Sequence, residues 1–77
     1  MAIKAQHQVK FSVALKKAMK SRQLSLRQLA LEADLEYAHV QRIAAGKVNL
    51  ELSTIVALAD GLGMSVAELF SFYGPSR

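Results

Sequence analysis

Apolar residues recur along this chain three and four positions apart, the period of helices that bury one face. Phe11, Leu15, Ala18 and Met19 predict a first helix over about Gln8 to Ser21, with Val9 or Val13 completing its stripe. Residues 1–7 carry no such pattern and are expected to fray. Leu29, Ala30 and Ala33 mark the inner face of a second helix, Val40 and Ile43 that of a third, and Leu35 plugs the space between them. Ser25 is placed as the N-cap of the second helix. Gln28, three residues on, completes a capping box in which each side chain accepts from the other residue's amide. The second helix ends near Ala33, before Asp34-Leu35-Glu36, where Asp34 tolerates a left-handed turn. The third runs from about Tyr37 to Ala45, and Gly46 is placed for a left-handed C-terminal cap. After the connector Val48-Asn49-Leu50, a fourth helix extends from Glu51 or Leu52 to Leu62. It turns Leu52, Ile55, Leu58, Ala59 and Leu62 inward; Gly61 weakens its end and Gly63 stops it. Ser65 and Glu68 form a second capping box, opening a fifth helix through Val66, Leu69 and Phe70. Residues 71–77 form a C-terminal tail too short and too rich in turn residues for a further long element.

Composition narrows the class. Seventy-seven residues make a single domain, 1–77, near the lower size at which a core suffices without staples. The chain is 52% apolar with one proline and no cysteine, which excludes disulfides and Cys-based zinc sites and favours an all-α domain. The net charge of +4 is unevenly spread. Residues 1–31 hold Lys4, Lys10, Lys16, Lys17, Lys20, Arg22 and Arg27 and no acid, whereas all the Asp and Glu lie in residues 32–77. A basic pole suits a polyanion, although the same charges also serve as a solvated helix face. No apolar run approaches the roughly 20 residues needed to span a bilayer, and residues 1–10 contain no signal-peptide h-region. A soluble, cytoplasmic protein with no membrane partner is the expectation. Nucleophile–base pairs, phosphate-cradling glycine loops and metal-ligand clusters are absent from the sequence pattern. His7 and His39 are isolated and do not make a metal site. The chain therefore reads as a non-enzyme with no cofactor, metal or small-molecule ligand.

The second and third helices, joined by a tight turn, form a helix-turn-helix, and the third presents Tyr37, His39, Gln41 and Arg42 on its polar outer face. A helix presented this way is what such proteins insert into the major groove of DNA. The chain resembles the lambda-repressor/Cro-like helix-turn-helix domains, the XRE family. The resemblance rests on Leu24-Ser25, Leu29-Ala30, Ala33, Leu35, Val40, Arg42-Ile43, Gly46-Lys47, Asn49, Leu52, Thr54, Leu58-Ala59, Leu62-Gly63 and Leu69-Phe70 in order. No one pair is specific; the ordered set over about Phe11 to Phe70 is. The resemblance implies a five-helix all-α fold in which the third helix reads base edges and the second crosses the backbone. Carried over by position, the base-reading candidates are Tyr37, Ala38 and Arg42, with Gln41 close by. Arg42 suits a bidentate contact to guanine and Gln41 one to adenine, while Ala38 offers only a methyl contact. Phosphate candidates are the amides near Ser25 at a helix N-terminus, with Arg27, His39, Lys47 and Asn49.

Some positions depart from the family pattern. Leu26 stands where a phosphate-gripping Gln is frequent, Asp34 where a turn glycine is, and Glu36 where a Ser or Thr N-cap is. Glu36 suits the helix dipole but repels a nearby phosphate. Met19 and Ala44 together replace a buried Arg–Glu ion pair found in many relatives. Such simultaneous replacement is often neutral, and it predicts a Met19–Ala44 contact. Leu50, Phe70, Phe72 and Tyr73 are the candidates for a dimer interface, against the alternative that the aromatics finish a small core. The resulting reading is a transcriptional regulator that binds double-stranded DNA as a homodimer on a two-fold symmetric operator. Restriction–modification controller proteins resemble the chain most in length and layout. The alternative is an antitoxin or protein-interaction module that keeps the fold with little specific DNA binding.

Overall fold

Five helices follow one another in the computed structural model, which describes residues 2–73 of the backbone, with side chains from Gln6 onward: α1 (Ala2–Arg22), α2 (Leu26–Ala33), α3 (Tyr37–Ala44), α4 (Leu52–Leu62) and α5 (Val66–Phe70). Residues 74–77, the end of the expected tail, lie outside that range. No strand occurs among the described residues. The class is all-α, as the 3.6-residue period requires.

Caps decide most of the boundaries. At α2 and α5 the expected capping boxes are formed: Ser25 Oγ accepts from the Gln28 amide at 3.1 Å while Gln28 Oε1 accepts from the Ser25 amide at 2.9 Å. Ser65 and Glu68 repeat the exchange at 3.0 and 2.8 Å. Asp34 closes α2 in the left-handed region at φ 57°, as its tolerance for that conformation allows. The end of α1 carries a signal that sequence does not reveal. Gln23 adopts φ 58°, and the Leu24 amide reaches back to the Met19 carbonyl at 3.0 Å, a left-handed stop without glycine.

The N-terminus is corrected. Helix α1 begins at Ala2 rather than about Gln8. Ala, Lys and Gln favour helix intrinsically, and that propensity leaves no amphipathic trace for a pattern search to find.

Leu15, Leu29, Val40, Ile43, Leu58 and Leu69, one or more from every helix, are almost wholly withdrawn from water. Each such side chain contributes about 1.5–3 kcal/mol through burial. Leu24, Leu35, Val48 and Ile55 pack around this centre, so Leu35 does fill the turn between α2 and α3. Met19 belongs to this core; Ala44 is also buried, and α1 packs on α3, so the two positions leave no charge to compensate.

Three inward assignments fail. Val9 and Val13 are 52% and 43% exposed, and Leu52 is 73% exposed. On α1 the places beside Phe11 and Leu15 go to Ser12 and Ala14, and the small Ser12 side chain faces the close approach of Gly46 after α3. Leu52 is the first residue of α4, and the buried residues of that helix, Leu58, Ala59 and Leu62, all lie in its later turns. Gly61 has a role opposite to that expected. A Cβ there would stand 2.9 Å from the Ala33 nitrogen, so the missing side chain is what allows α4 to lie against the end of α2. Arg22 adds a tie that sequence did not suggest, donating from Nε to the Leu62 carbonyl at 3.0 Å and from Nη2 to the Gly63 carbonyl at 3.4 Å.

Candidate nucleic-acid interface

Helix α3 buries Val40, Ile43 and Ala44 and exposes Ala38, Gln41 and Arg42, with the exposed C-cap Ala45 just beyond. With roughly 100° between successive residues, these two sets face opposite directions. Tyr37 and His39 are both half-buried and flank the exposed stripe on its two sides. Arg42 and Gln41 stand in the open, with Ala38 one turn before Arg42. His39 sits off the centre of that face.

Glu36 is the N-cap of α3 by backbone conformation, at φ −68° and ψ 138°, but its side chain makes no capping hydrogen bond. The carboxylate is exposed, and the first-turn amides of α3 are left without a side-chain acceptor. At α2 the arrangement differs. The capping box occupies the Ser25 and Gln28 amides, so the amides of Leu26 and Arg27 are those that a bound anion can reach. Ser25 itself engages the protein through its side chain. Leu26 is half-buried against the core, which explains an apolar residue at that position.

Arg27, the second residue of α2, lies with its guanidinium carbon 4.3 Å from the centroid of the Tyr37 ring. This joins one phosphate candidate to one base-reading candidate across the turn, a pairing that spacing along the chain does not disclose.

On the far side of α3, Gly46 adopts φ 74°, and a Cβ there would meet Ser12 Oγ and the Val9 Cα at 3.2 Å. Glycine therefore serves twice, for the left-handed turn and for the close approach to α1. Lys47 and Asn49 follow on the surface, and Asn49 Oδ1 accepts from Gln8 Nε2 at 3.3 Å, which ties the connector to α1. The basic residues Lys10, Lys16, Lys17 and Lys20 are all exposed along α1.

The four interface candidates separate. Leu50, Phe70 and Tyr73 line an open groove of about 170 Å³ together with Phe11, Ile55 and His7. Phe72 packs against the core, as Leu50 and Tyr73 also do, but does not line the groove. Phe70 is 37% exposed and stacks at a tilt between Phe11 and Tyr73, with centroids 5.7 and 5.6 Å away. Tyr73 in turn stacks on His7, and its hydroxyl is hydrogen-bonded to His7 Nδ1 at 2.5 Å. His7 thus finds a partner 66 residues away that no local pattern indicated.

Among the described residues no group of His, Asp and Glu is arranged to hold a metal, and no helix is long and apolar enough to cross a membrane.

Known proteins share this arrangement. The chain is 34% identical over 64 residues to control protein C.MunI of a Mycoplasma species, a match that covers 82% of this chain and 86% of that protein. It superimposes on the restriction-modification controller protein C.AhdI of Aeromonas hydrophila with a TM-score of 0.77 and 32% identity, over 82% of this chain and 96% of that one. An HTH_3 family transcriptional regulator from Vibrio cholerae gives a TM-score of 0.82 at 26% identity; 88% of this chain is covered but only 38% of the Vibrio protein. Residues 14–75 match the Cro/C1-type helix-turn-helix DNA-binding domain, and with most of its length inside that match the chain belongs to this family.

Proposed function

We propose that this DNA-binding domain is a transcriptional regulator of the controller type, which acts in the cytoplasm as a homodimer on a two-fold symmetric operator. The observation that carries the reading is the exposed stripe of α3, with Arg42, Gln41 and Ala38 outward and Tyr37 at its edge, set beside the open amides at the start of α2. Arg42 and Gln41 have the donors and acceptors to read guanine and adenine in the major groove. The Leu26 and Arg27 amides, the Arg27 side chain, Lys47 and Asn49 hold phosphates and set the register; His39, at the flank, serves the backbone rather than the bases. The sequence likeness to control protein C.MunI and to the restriction-modification controller protein C.AhdI favours the controller type.

Dimerisation is assigned to the groove lined by Leu50, Phe70 and Tyr73, where aromatic side chains remain partly open to solvent. In a dimer, two reading helices must lie about one helical turn of DNA apart, roughly 34 Å.

Selection from random duplex DNA tests the proposal. Enrichment of an inverted repeat, with affinity that falls steeply as salt rises, is the expected result. A folded dimer that enriches no motif would refute operator binding. The exposed Glu36 carboxylate at the start of α3 would then favour the protein-interaction reading.

A further inference from the structure

We propose that Arg27 sets the base preference of the protein through Tyr37, as a positioning residue that need touch no base itself; this rests on the DNA-reading role proposed above for α3. The two residues come from different helices, yet the guanidinium lies 4.3 Å from the Tyr37 ring centroid. Tyr37 is half-buried and packs against the hydrophobic core, so the ring is held between the core and the guanidinium. A tyrosine at the first position of a reading helix is otherwise able to swing about χ1. Confinement from two sides removes that freedom before DNA arrives, which is the general advantage of a preorganised contact.

The neighbouring residues make Arg27 the one suited to this task. Leu26, half-buried against the core, has no polar group to offer Tyr37. Glu36, immediately before Tyr37, makes no capping hydrogen bond that would steady the helix start. A planar guanidinium can stack on the ring through its face while its edge N–H groups still point to a phosphate. A phosphate bound at the start of α2 therefore meets Arg27 where it already lies, and holds Tyr37 fixed with it. Backbone grip and base reading become one coupled event. Lysine can supply the charge but not the planar stack.

The test compares wild type, Arg27→Lys, Tyr37→Phe, Tyr37→Leu and Arg27→Lys/Tyr37→Leu by site selection from random duplex DNA, followed by affinities for the selected site and its single-base variants. Arg27→Lys should change preference by about two- to fivefold, the scale of an exposed cation–π contact. The change should fall at the same base pairs that Tyr37→Leu alters and disappear in the Tyr37→Leu background. Tyr37→Phe, which keeps the ring, should keep the dependence on Arg27. A loss for Arg27→Lys that is equal at all sequences, or one that persists with Tyr37→Leu, overturns the proposal and leaves operator binding intact. Failure of wild type to enrich any motif overturns both. In the DNA-free protein, the Arg27 side-chain protons should show upfield ring-current shifts in NMR spectra that vanish with Tyr37→Leu; normal shifts in the wild type also refute the pair.

Discussion

Gly61 is the position at which local preference and tertiary packing oppose each other. In a helix interior Gly61→Ala is favoured by about 1 kcal/mol, because glycine loses the most backbone freedom on folding. At this site the added methyl would stand 2.9 Å from the Ala33 nitrogen, 3.0 Å from its Cβ and 3.1 Å from its Cα. Two of these three atoms are backbone and cannot rotate aside. Relief requires α4 to withdraw from α2, and forced repacking of this kind costs about 1–3 kcal/mol. Packing outweighs propensity, so the net expectation is a loss of about 1 kcal/mol, or roughly 4–8 °C in melting temperature for a domain of this size. Circular dichroism melts, with urea unfolding as a second measure, give both values. Ala33→Gly removes the Cβ at 3.0 Å but leaves the nitrogen at 2.9 Å. The double variant should therefore recover part of the loss, with a coupling of at least about 0.5 kcal/mol. A rise in melting temperature for Gly61→Ala, together with additive effects in the double variant, would refute the close approach of α2 and α4.

Other outcomes follow from the same contacts. Leu58→Ala should destabilise by about 2–5 kcal/mol, whereas Leu52→Ser, at a side chain 73% exposed, should stay within about 0.5 kcal/mol in the same urea titration. Ser25→Ala removes the acceptor of the Gln28 amide and should cost about 1 kcal/mol in that assay. Arg42→Ala should lose preference for the selected operator by about 1–3 kcal/mol at one base pair, while Lys47→Ala should weaken every sequence alike and lower the salt slope by about one; equal behaviour in fluorescence-anisotropy titrations would contradict these roles. Phe70→Ser should shift sedimentation of the protein toward monomer without loss of helical signal, and an unchanged dimer would move the interface elsewhere.

Most of the helix-turn-helix was legible in the chain because the information is local. Ser25 and Gln28 lie three residues apart and exchange hydrogen bonds within one turn, so their pattern suffices to start α2. Val40 and Ile43 lie three residues apart on one face of α3, and that apolar face is the one buried. By contrast, Val9, Val13 and Leu52 were as apolar as their neighbours, and only the directions in which the other helices pack left them exposed.

Sequence by itself therefore determined the five helices, most of their caps, the inner faces of α2 and α3, and the outward set of Gln41 and Arg42. Period and cap chemistry act within a few residues and survive any global arrangement. Tertiary structure alone decided the contacts between distant positions: Gly61 against Ala33, Arg22 on the end of α4, His7 on Tyr73, and Arg27 over Tyr37. These depend on how closely two helices approach and at what angle, and no spacing along one chain encodes either. The scaffold of the reading helix was written in its hydrophobic period; which side chain steadies its first residue was settled only when α2 and α3 packed together.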